Sequence, residues 1–425
     1  MFYQVHTCVT TLKYKKEAYC FFQIEVYDLK ISVIGAGAQG SAIALVLSKT
    51  PEVSEIVSAD INLKAAKKAA EKTKSDKVSA ERVDASKVDD LLRVVKGSDT
   101  VVNATSGFNL NMMDAALKSG ANYVDLASME GGTLEDSIQK QLAFNDKFKD
   151  ARLTAVMCMG GPYTTNVAVR YAADKLDRVD EIRLRAAWTG DESEEFIPTW
   201  APMWSPVAAL TEWIPPAAIY ENGKWKYVPP FSGVEDYPFP EPMGPATVCY
   251  IDYDPTYTLP QFIKGVKYVD YKITPDRMAG TLIKIGLGND KPINVKGVKV
   301  APREVLLTLT PPATETFAMI EPEFLHSEKE FYGCSLAEVK GEKAGEKITR
   351  AVYRISSFRE TYEKWGTVWA GVAVPAALTA TMLAKREIKI KGVIPPEGLE
   401  PESFLAKLAE KGWVFQERIT REIRP

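Results

Sequence analysis

The chain has 425 residues, too many for one compact core of ordinary size, so two domains are expected. Its 53 Lys and Arg stand against 56 Asp and Glu, a formal net charge of -3, and it has no dense basic run; the balance speaks against a nucleic-acid surface and for small partners. The five cysteines are odd in number and scattered without CxxC spacing, and no apolar run reaches the roughly 18 residues of a membrane span, so a reduced cytoplasmic home with no metal centre is expected.

Residues 1–29 lack the basic start, apolar core and small-residue cleavage site of a secretion signal, and read as an extension, either an edge strand or disordered. Directly after it, "KISVIGAGAQGSAIALVLSK" joins an apolar strand to Gly35, Gly37 and Gly40 in GxGxxG spacing and then to a helix of small and apolar residues. The first glycine allows the tight turn, the second lets backbone approach a pyrophosphate, and the third lets helix pack on strand. The helix start, Ala38 and Gln39 included, then offers its partial positive charge to the phosphates.

A second strand, "EIVSAD", ends at Asp60, where an acid binds the adenine ribose hydroxyls, with Ile61 beside it. Asp60 would repel a 2'-phosphate, which favours NAD over NADP; Lys64 and Lys67 downstream keep NADP possible. The alternation continues through strand "KVSAERVDA", helix "SKVDDLLRVVKG", strand "DTVVNATS", helix "NMMDAALKSG", strand "NYVDLAS", helix "LEDSIQKQLAFNDKFKDA" and strand "LTAVMCM". Such repetition makes a doubly wound parallel sheet whose crevice lies at the carboxyl ends of its strands, so Asn103, Ala104 and Thr105 join the cofactor candidates.

After the helix "NVAVRYAADKLD" the texture changes. "EIRLRAAW" alternates like a half-exposed strand, a Pro- and Trp-rich stretch follows, and "ENGKWKYVPPF" reads as a hairpin turning at Asn222 and Gly223. "TVCYIDY", "KYVDYKI", "REVLLTLT" and "AVYRISSF" read as further strands, so the second half is an α+β domain on a mixed or antiparallel sheet. "GVAVPAALTATMLAKREI" returns to helix, and the tail after it reads as a loop and one capped helix.

On the glycine-rich opening and on "VVNATSGFN", "ALKSGANYVDLA", "NGKWKYVPPFSGVEDYPFPEPMG" and "VAVPAALTATMLAKREIKIKGVIPPE", the chain resembles the saccharopine dehydrogenase-like family from Ile31 to Trp413. The resemblance implies hydride exchange between a nicotinamide dinucleotide and a carbon bearing an amine, with an amino acid as substrate, as in lysine 6-dehydrogenase or saccharopine dehydrogenase. It implies a nucleotide domain (30–160), a substrate domain (161–365) that covers the crevice and forms a dimer interface, and a C-terminal segment (366–425) packing back on the first. Family members leave the nucleotide domain through GxxPG, whereas here Tyr163 follows Pro162 in place of the glycine.

An amine must be neutral to lose hydride, so a group nearby has to take its proton. Only His6 and His326 exist, which argues against a histidine mechanism. The candidates are Asp125 and Glu130 at a strand end, Cys158 on the last apolar strand, and Tyr163; each also has a structural reading, as cap, surface acid, core thiol or packed ring. Thr164, Thr165 and Asn166 are of the types that cap the following helix. Arg183 and Arg185 leave one face of a strand, where they can clamp a carboxylate or simply pair with surface acids. The run Asp191 to Glu195 can meet a cationic amine or lie solvated, and the family resemblance implies substrate contacts at Trp200, Trp204 and Ser205, with aromatic core packing as the default reading. A non-catalytic dinucleotide-binding regulator is the alternative from another class.

Overall fold

A computed structural model describes residues 4–7, 22–25, 27–160, 164–189, 200, 202–328 and 330–421. In the extension, β1 (Gln4–Thr7) and β2 (Phe22–Glu25) pair antiparallel. Then come β3 (Leu29–Ile34), α1 (Ala38–Ser48), β4 (Val53–Asp60), α2 (Leu63–Thr73), β5 (Val78–Arg82), α3 (Val88–Val95), β6 (Thr100–Asn103), α4 (Asn109–Ser119), β7 (Asn122–Asp125), α5 (Leu134–Leu142), α6 (Asn145–Asp150), β8 (Thr154–Val156) and α7 (Thr165–Asp174). The second half runs β9 (Arg178–Trp188), α8 (Pro206–Thr211), β10 (Ala217–Glu221), β11 (Lys224–Val228), β12 (Glu235–Pro238), β13 (Pro245–Tyr250), α9 (Asp254–Phe262), β14 (Tyr268–Ile273), α10 (Arg277–Lys284), β15 (Ile293–Val295), β16 (Val298–Val300), α11 (Pro302–Leu309) and α12 (Ala313–His326). It closes with β17 (Tyr332–Lys343), β18 (Glu346–Ser357), α13 (Phe358–Trp365), α14 (Ala370–Ala384), β19 (Gly392–Ile394), α15 (Pro401–Glu410) and β20 (Gln416–Arg421).

Seven parallel strands form the first sheet in the order β19-β8-β7-β6-β3-β4-β5. Its strands are buried on both faces, which is why they read as near-continuous apolar runs. One face packs on α1, α14 and α15; Leu91, Met112, Met113, Ile138 and Phe148 from α3 to α6 cover the other. The order reverses between β3 and β6, so the crevice outside their carboxyl ends is a topological switch point. The second sheet is mixed: β14 runs parallel to β9, and its other pairs are antiparallel.

Asn222 and Gly223 turn the expected hairpin, both at positive φ, with Glu221 opposite Lys224. "REVLLTLT" is helix α11, not a strand: Pro302 sits at its first position, and Pro302 and Leu306, one turn apart, are its buried residues. The helix expected from 134 to 151 is broken into α5 and α6. Six strands of the second half escaped the sequence reading: β12, the paired β15 and β16, β17 and β20 of the mixed sheet, and β19, which returns from the C-terminal region to extend the parallel sheet. Among the described residues no single helix is long and apolar enough to cross a membrane; the bent pair α13 and α14 meets the test together, but α14 is core.

Candidate active site at the crevice

The glycine loop has the build that a dinucleotide requires. Gly35 adopts φ +101°, and a Cβ there would stand 2.7 Å from the Ala104 carbonyl carbon; on Gly40 it would meet the Gly35 oxygen at 1.7 Å. Nothing lies within 4 Å of where a Gly37 Cβ would be, so that face is open for a phosphate to approach, directly before Ala38 starts α1. Asp60 accepts the backbone N–H groups of Ala36 (2.7 Å) and Asn62 (2.8 Å), one on each oxygen, which aims its carboxylate and leaves further lone pairs for ribose hydroxyls. Ile61 beside it is 61% exposed, an apolar surface for the adenine. A nicotinamide dinucleotide therefore fits these residues, and Gln39, Ala104 and Thr105 carry its site on into the cavity described below. Asn103 does not reach it: buried, it accepts from Thr105 N (3.0 Å) and Oγ1 (2.7 Å) and donates to Gly107 O (3.1 Å), shaping the loop from beneath.

The carboxylates expected to do chemistry form the floor of the crevice instead. Asp125 is buried and accepts from Cys158 N (2.6 Å), Asn109 Nδ2 (2.8 Å), Tyr123 Oη (3.0 Å) and Gln141 Nε2. Burial lifts it to about 6, against the pull of those hydrogen bonds. The bond to Cys158 N holds a non-glycine residue at φ 59° and so fixes how the chain leaves β8. The Cys158 thiol reaches Asp254 Oδ1 (3.2 Å) and Ser128 Oγ (3.3 Å); burial, then the charges of Asp254 and Asp125, push it well above the ordinary thiol range, so it is a poor nucleophile. Glu130 accepts from Leu110 N (2.7 Å) in the first turn of α4, a helix-end anchor. Asp125, Glu130 and Cys158 do not border the cavity above them.

That cavity, of about 420 Å³, runs from Gln39, Ala104 and Leu126 on the nucleotide side to Trp188, Trp204 and Glu212 on the other, and to Arg354 and Trp413. Among the described residues bordering it, Glu212 and Arg354 are the two side chains of the carboxylate, lysine or arginine types. Glu212 caps the end of α8 and accepts from Tyr253 Oη (3.2 Å). Burial raises Glu212 to about 8, the Tyr253 hydrogen bond opposes that, and the charge of Asp254 adds to it. Trp188 and Trp204 meet edge to face at 6.3 Å on the same wall. Ser205 borders the cavity; it caps α8 through Ala208 N (3.4 Å) and shares a hydrogen bond with Ser106 (2.8 Å), which ties the two halves together.

Other expected residues lie elsewhere. Arg185 is buried away from the cavity, bidentate to Asp270 (2.8 and 3.2 Å) and bonded to Glu235 (2.6 Å); Arg183 pairs with Glu181 (3.1 Å). Both arginines have acids of their own, and neither borders the cavity. Thr164 and Thr165 border the cavity, yet neither supplies a side-chain cap to α7, and Asn166 donates to Glu397 (3.0 Å). His326 is exposed at the end of α12. Pro162, Tyr163 and the acidic run 191–195 lie outside the described residues. Sequence reasoning missed Glu212, Tyr253 and Arg354; the available signals were an acid between apolar and aromatic residues in "LTEWI" and an arginine inside the strand "AVYRISSF".

An open phosphate cradle, an aimed acid after the second strand and, beside the start of α1, a cavity that an acid and an arginine border are the features of a dinucleotide-dependent enzyme. The chain belongs to the saccharopine dehydrogenase family: residues 31–156 match its NADP binding domain and residues 164–413 its C-terminal domain. It is 26% identical over 403 residues to carboxyaminopropylagmatine dehydrogenase of Synechocystis sp., covering 91% of this chain and 97% of that one. It is 26% identical over 413 residues to carboxynorspermidine synthase of Vibrio cholerae, covering 90% and 95%. In fold it is similar to saccharopine dehydrogenase (L-Glu forming) from Saccharomyces cerevisiae (TM-score 0.65, 16% identity, 92% and 100% covered) and to a homospermidine synthase from Legionella pneumophila in complex with NAD (TM-score 0.62, 12% identity, 93% and 92% covered). The protein is thus an enzyme, an NAD(P)-dependent oxidoreductase acting on amine-containing substrates, which removes the reading as a non-catalytic regulator.

Proposed function

We propose that the enzyme interconverts a carboxylated secondary amine with the imine formed from an amine and an amino-acid-derived aldehyde. The observation that carries this is Glu212, an acid poised at about 8 inside the cavity that opens onto the cofactor loop, between the Trp204 wall and the Tyr253 hydroxyl. The names of the curated relatives, a carboxyaminopropylagmatine dehydrogenase and carboxynorspermidine synthases, support a polyamine carrying a carboxyl group over free lysine or saccharopine. A bound dinucleotide supplies hydride exchange at the carbon next to nitrogen. Glu212 takes the amine proton in the oxidative direction and returns it in the reductive one, with a value near the working pH that suits both roles. Trp188 and Trp204 keep water from the reacting carbon and offer ring faces to a cationic chain.

Asp60 supports a preference for NAD, since a 2'-phosphate would meet its carboxylate. The lysine-metabolism reading gives way here to polyamine chemistry, while the homodimer that the family resemblance implies and the reduced cytoplasm that the scattered cysteines suggest stay part of this proposal; sedimentation of the purified protein tests the dimer. The activity itself is tested by following NADH or NADPH absorbance with carboxynorspermidine, norspermidine, saccharopine and L-lysine. Faster turnover of lysine or saccharopine than of carboxynorspermidine overturns the proposal.

A further inference from the structure

Arg354 is a half-buried charge with no counter-charge among the described residues. It stands on β18 opposite Ser335 of β17, and Arg354, Ser335 and Ser356 all border the cavity. Its guanidinium lies 3.8 Å from the Trp413 ring centroid, and Nη1 donates to Ser356 Oγ. Among the described residues no carboxylate pairs with it, and its other N–H groups have no protein acceptor. Burial depresses it to about 10, the direction expected when nothing nearby stabilises the cation. Arg185, also an arginine on a central strand of the same sheet, has two acids. Holding a half-buried arginine without an acid adds nothing to stability, because part of its hydration is lost with no ion pair in return.

We infer that Arg354 is the anchor for the substrate's carboxylate, bound bidentate at the guanidinium edge with Ser335 and Ser356 as flanking hydroxyl donors. This rests on the reading of the substrate as a carboxylated amine. Trp413 covers one face of the guanidinium, which restricts its plane and turns a donor edge toward the cavity. Trp413 comes from the C-terminal segment and is itself core, so that segment positions the anchor as well as bracing the parallel sheet. Glu212 and Arg354 then complement the two ends of a zwitterion, and a polyamine without a carboxyl group leaves Arg354 unpaired. The subsite selects the carboxylated substrate before any chemistry occurs.

Calorimetry on the NAD-loaded full-length protein tests this without turnover, with carboxynorspermidine and norspermidine as probes. The wild type is expected to bind the carboxylated amine at least about tenfold more tightly. Arg354→Gln is expected to weaken carboxynorspermidine by roughly a hundredfold, to leave norspermidine within about twofold, and to leave NAD unchanged, with Arg354→Lys recovering part of the loss. Equal losses for both amines, no discrimination by the wild type, no binding of either, or a weakened NAD site each overturn the inference. Thermal unfolding of the ligand-free variant is a second check: with only the Trp413 stack and the Ser356 bond to lose, Arg354→Gln is expected to melt far less below wild type than Arg185→Ala does, and an equal drop counts against the anchor. Discrimination without turnover would leave the subsite standing and remove only the proposed reaction.

Discussion

The floor of the crevice buries an acid and its far wall half-buries another, and the mixed sheet behind that wall carries two contrasting arginines, Arg185 buried and Arg354 half-buried; the difference lies in what surrounds them. On the floor Asp125 takes four donors, and Arg185 is enclosed by Asp270 and Glu235, so both have spent their hydrogen-bonding capacity on the protein. On the wall Glu212 and Arg354 face a cavity with capacity in hand. A shifted pKa does not separate the two regions, since Asp125 and Glu212 are both raised by burial. Unfilled valence toward open space does, because a saturated network fixes geometry whereas an open one waits for a ligand.

The sharpest break of this comparison is Glu212→Gln. It keeps shape and removes the proton acceptor, so amine oxidation is expected to fall by roughly 10²- to 10⁴-fold with NAD binding unchanged. In the wild type, oxidative kcat/KM rises with pH and levels off above about 8, as Glu212 loses its proton; the variant lacks that limb. A limb that persists in Glu212→Gln assigns the proton to another group.

The saturated side predicts the opposite phenotype. Arg185→Ala leaves Asp270 buried without its partner and is expected to cost about 3–5 kcal/mol of stability. Asp125→Ala strands four donors at a cost of about 3 kcal/mol or more, read as a lower thermal midpoint. Asp125→Asn isolates the pH term: the folded acid titrates near 6 and the unfolded one near 3.8, so the folded state binds more protons between them. The wild type therefore gains stability from this site as pH falls from 7 toward 4, and the variant does not. If Asp125 were catalytic, its variants would lose kcat at temperatures far below unfolding.

The nucleotide half was legible because its signals are local. Strand, three glycines, helix, strand and acid lie within 30 residues, from Ile31 to Asp60, and each glycine's job is dictated by backbone spacing. Beyond Trp204 and Ser205 the cavity wall was not, because it is assembled from Trp188, Glu212, Tyr253, Arg354 and Trp413, which only the mixed sheet and the returning tail bring together. Strand β17 hid because "YGCSLAEVKGEK" mixes glycine and charges into its alternation, and β19 because three residues carry no readable period. Arg183 and Arg185 drew notice for a spacing that two arginines on any strand would share, while Arg354 looked like an ordinary polar position in a recognised strand. The deciding fact, which arginine lacks an acid, is a tertiary one.

At the cofactor end Asp60 is partly open by the same criterion, with one protein donor on each oxygen. Asp60→Ala is expected to weaken NAD by about tenfold, as the loss of charge-assisted ribose hydrogen bonds would, and NADP by less, since a repulsion is relieved. Equal losses in titrations of both cofactors would mean that Asp60 only braces the loop through Ala36 and Asn62.

Ser205 lies on the boundary between the two kinds of region and carries the smallest expected effect. It caps α8 over a long 3.4 Å contact and meets Ser106 at 2.8 Å, so as a structural residue its truncation costs no more than about 1 kcal/mol, with kcat/KM within a few fold. The double variant with Ser106→Ala decides what the contact is. Removing either hydroxyl breaks the same bond, so the two stability losses should fall short of additive if the pair merely joins the halves. If Ser205→Ala instead lowers kcat/KM tenfold while the thermal midpoint stays put, its hydroxyl turns from Ser106 to the substrate during turnover, and Ser205 belongs with Glu212 and Arg354 on the open side.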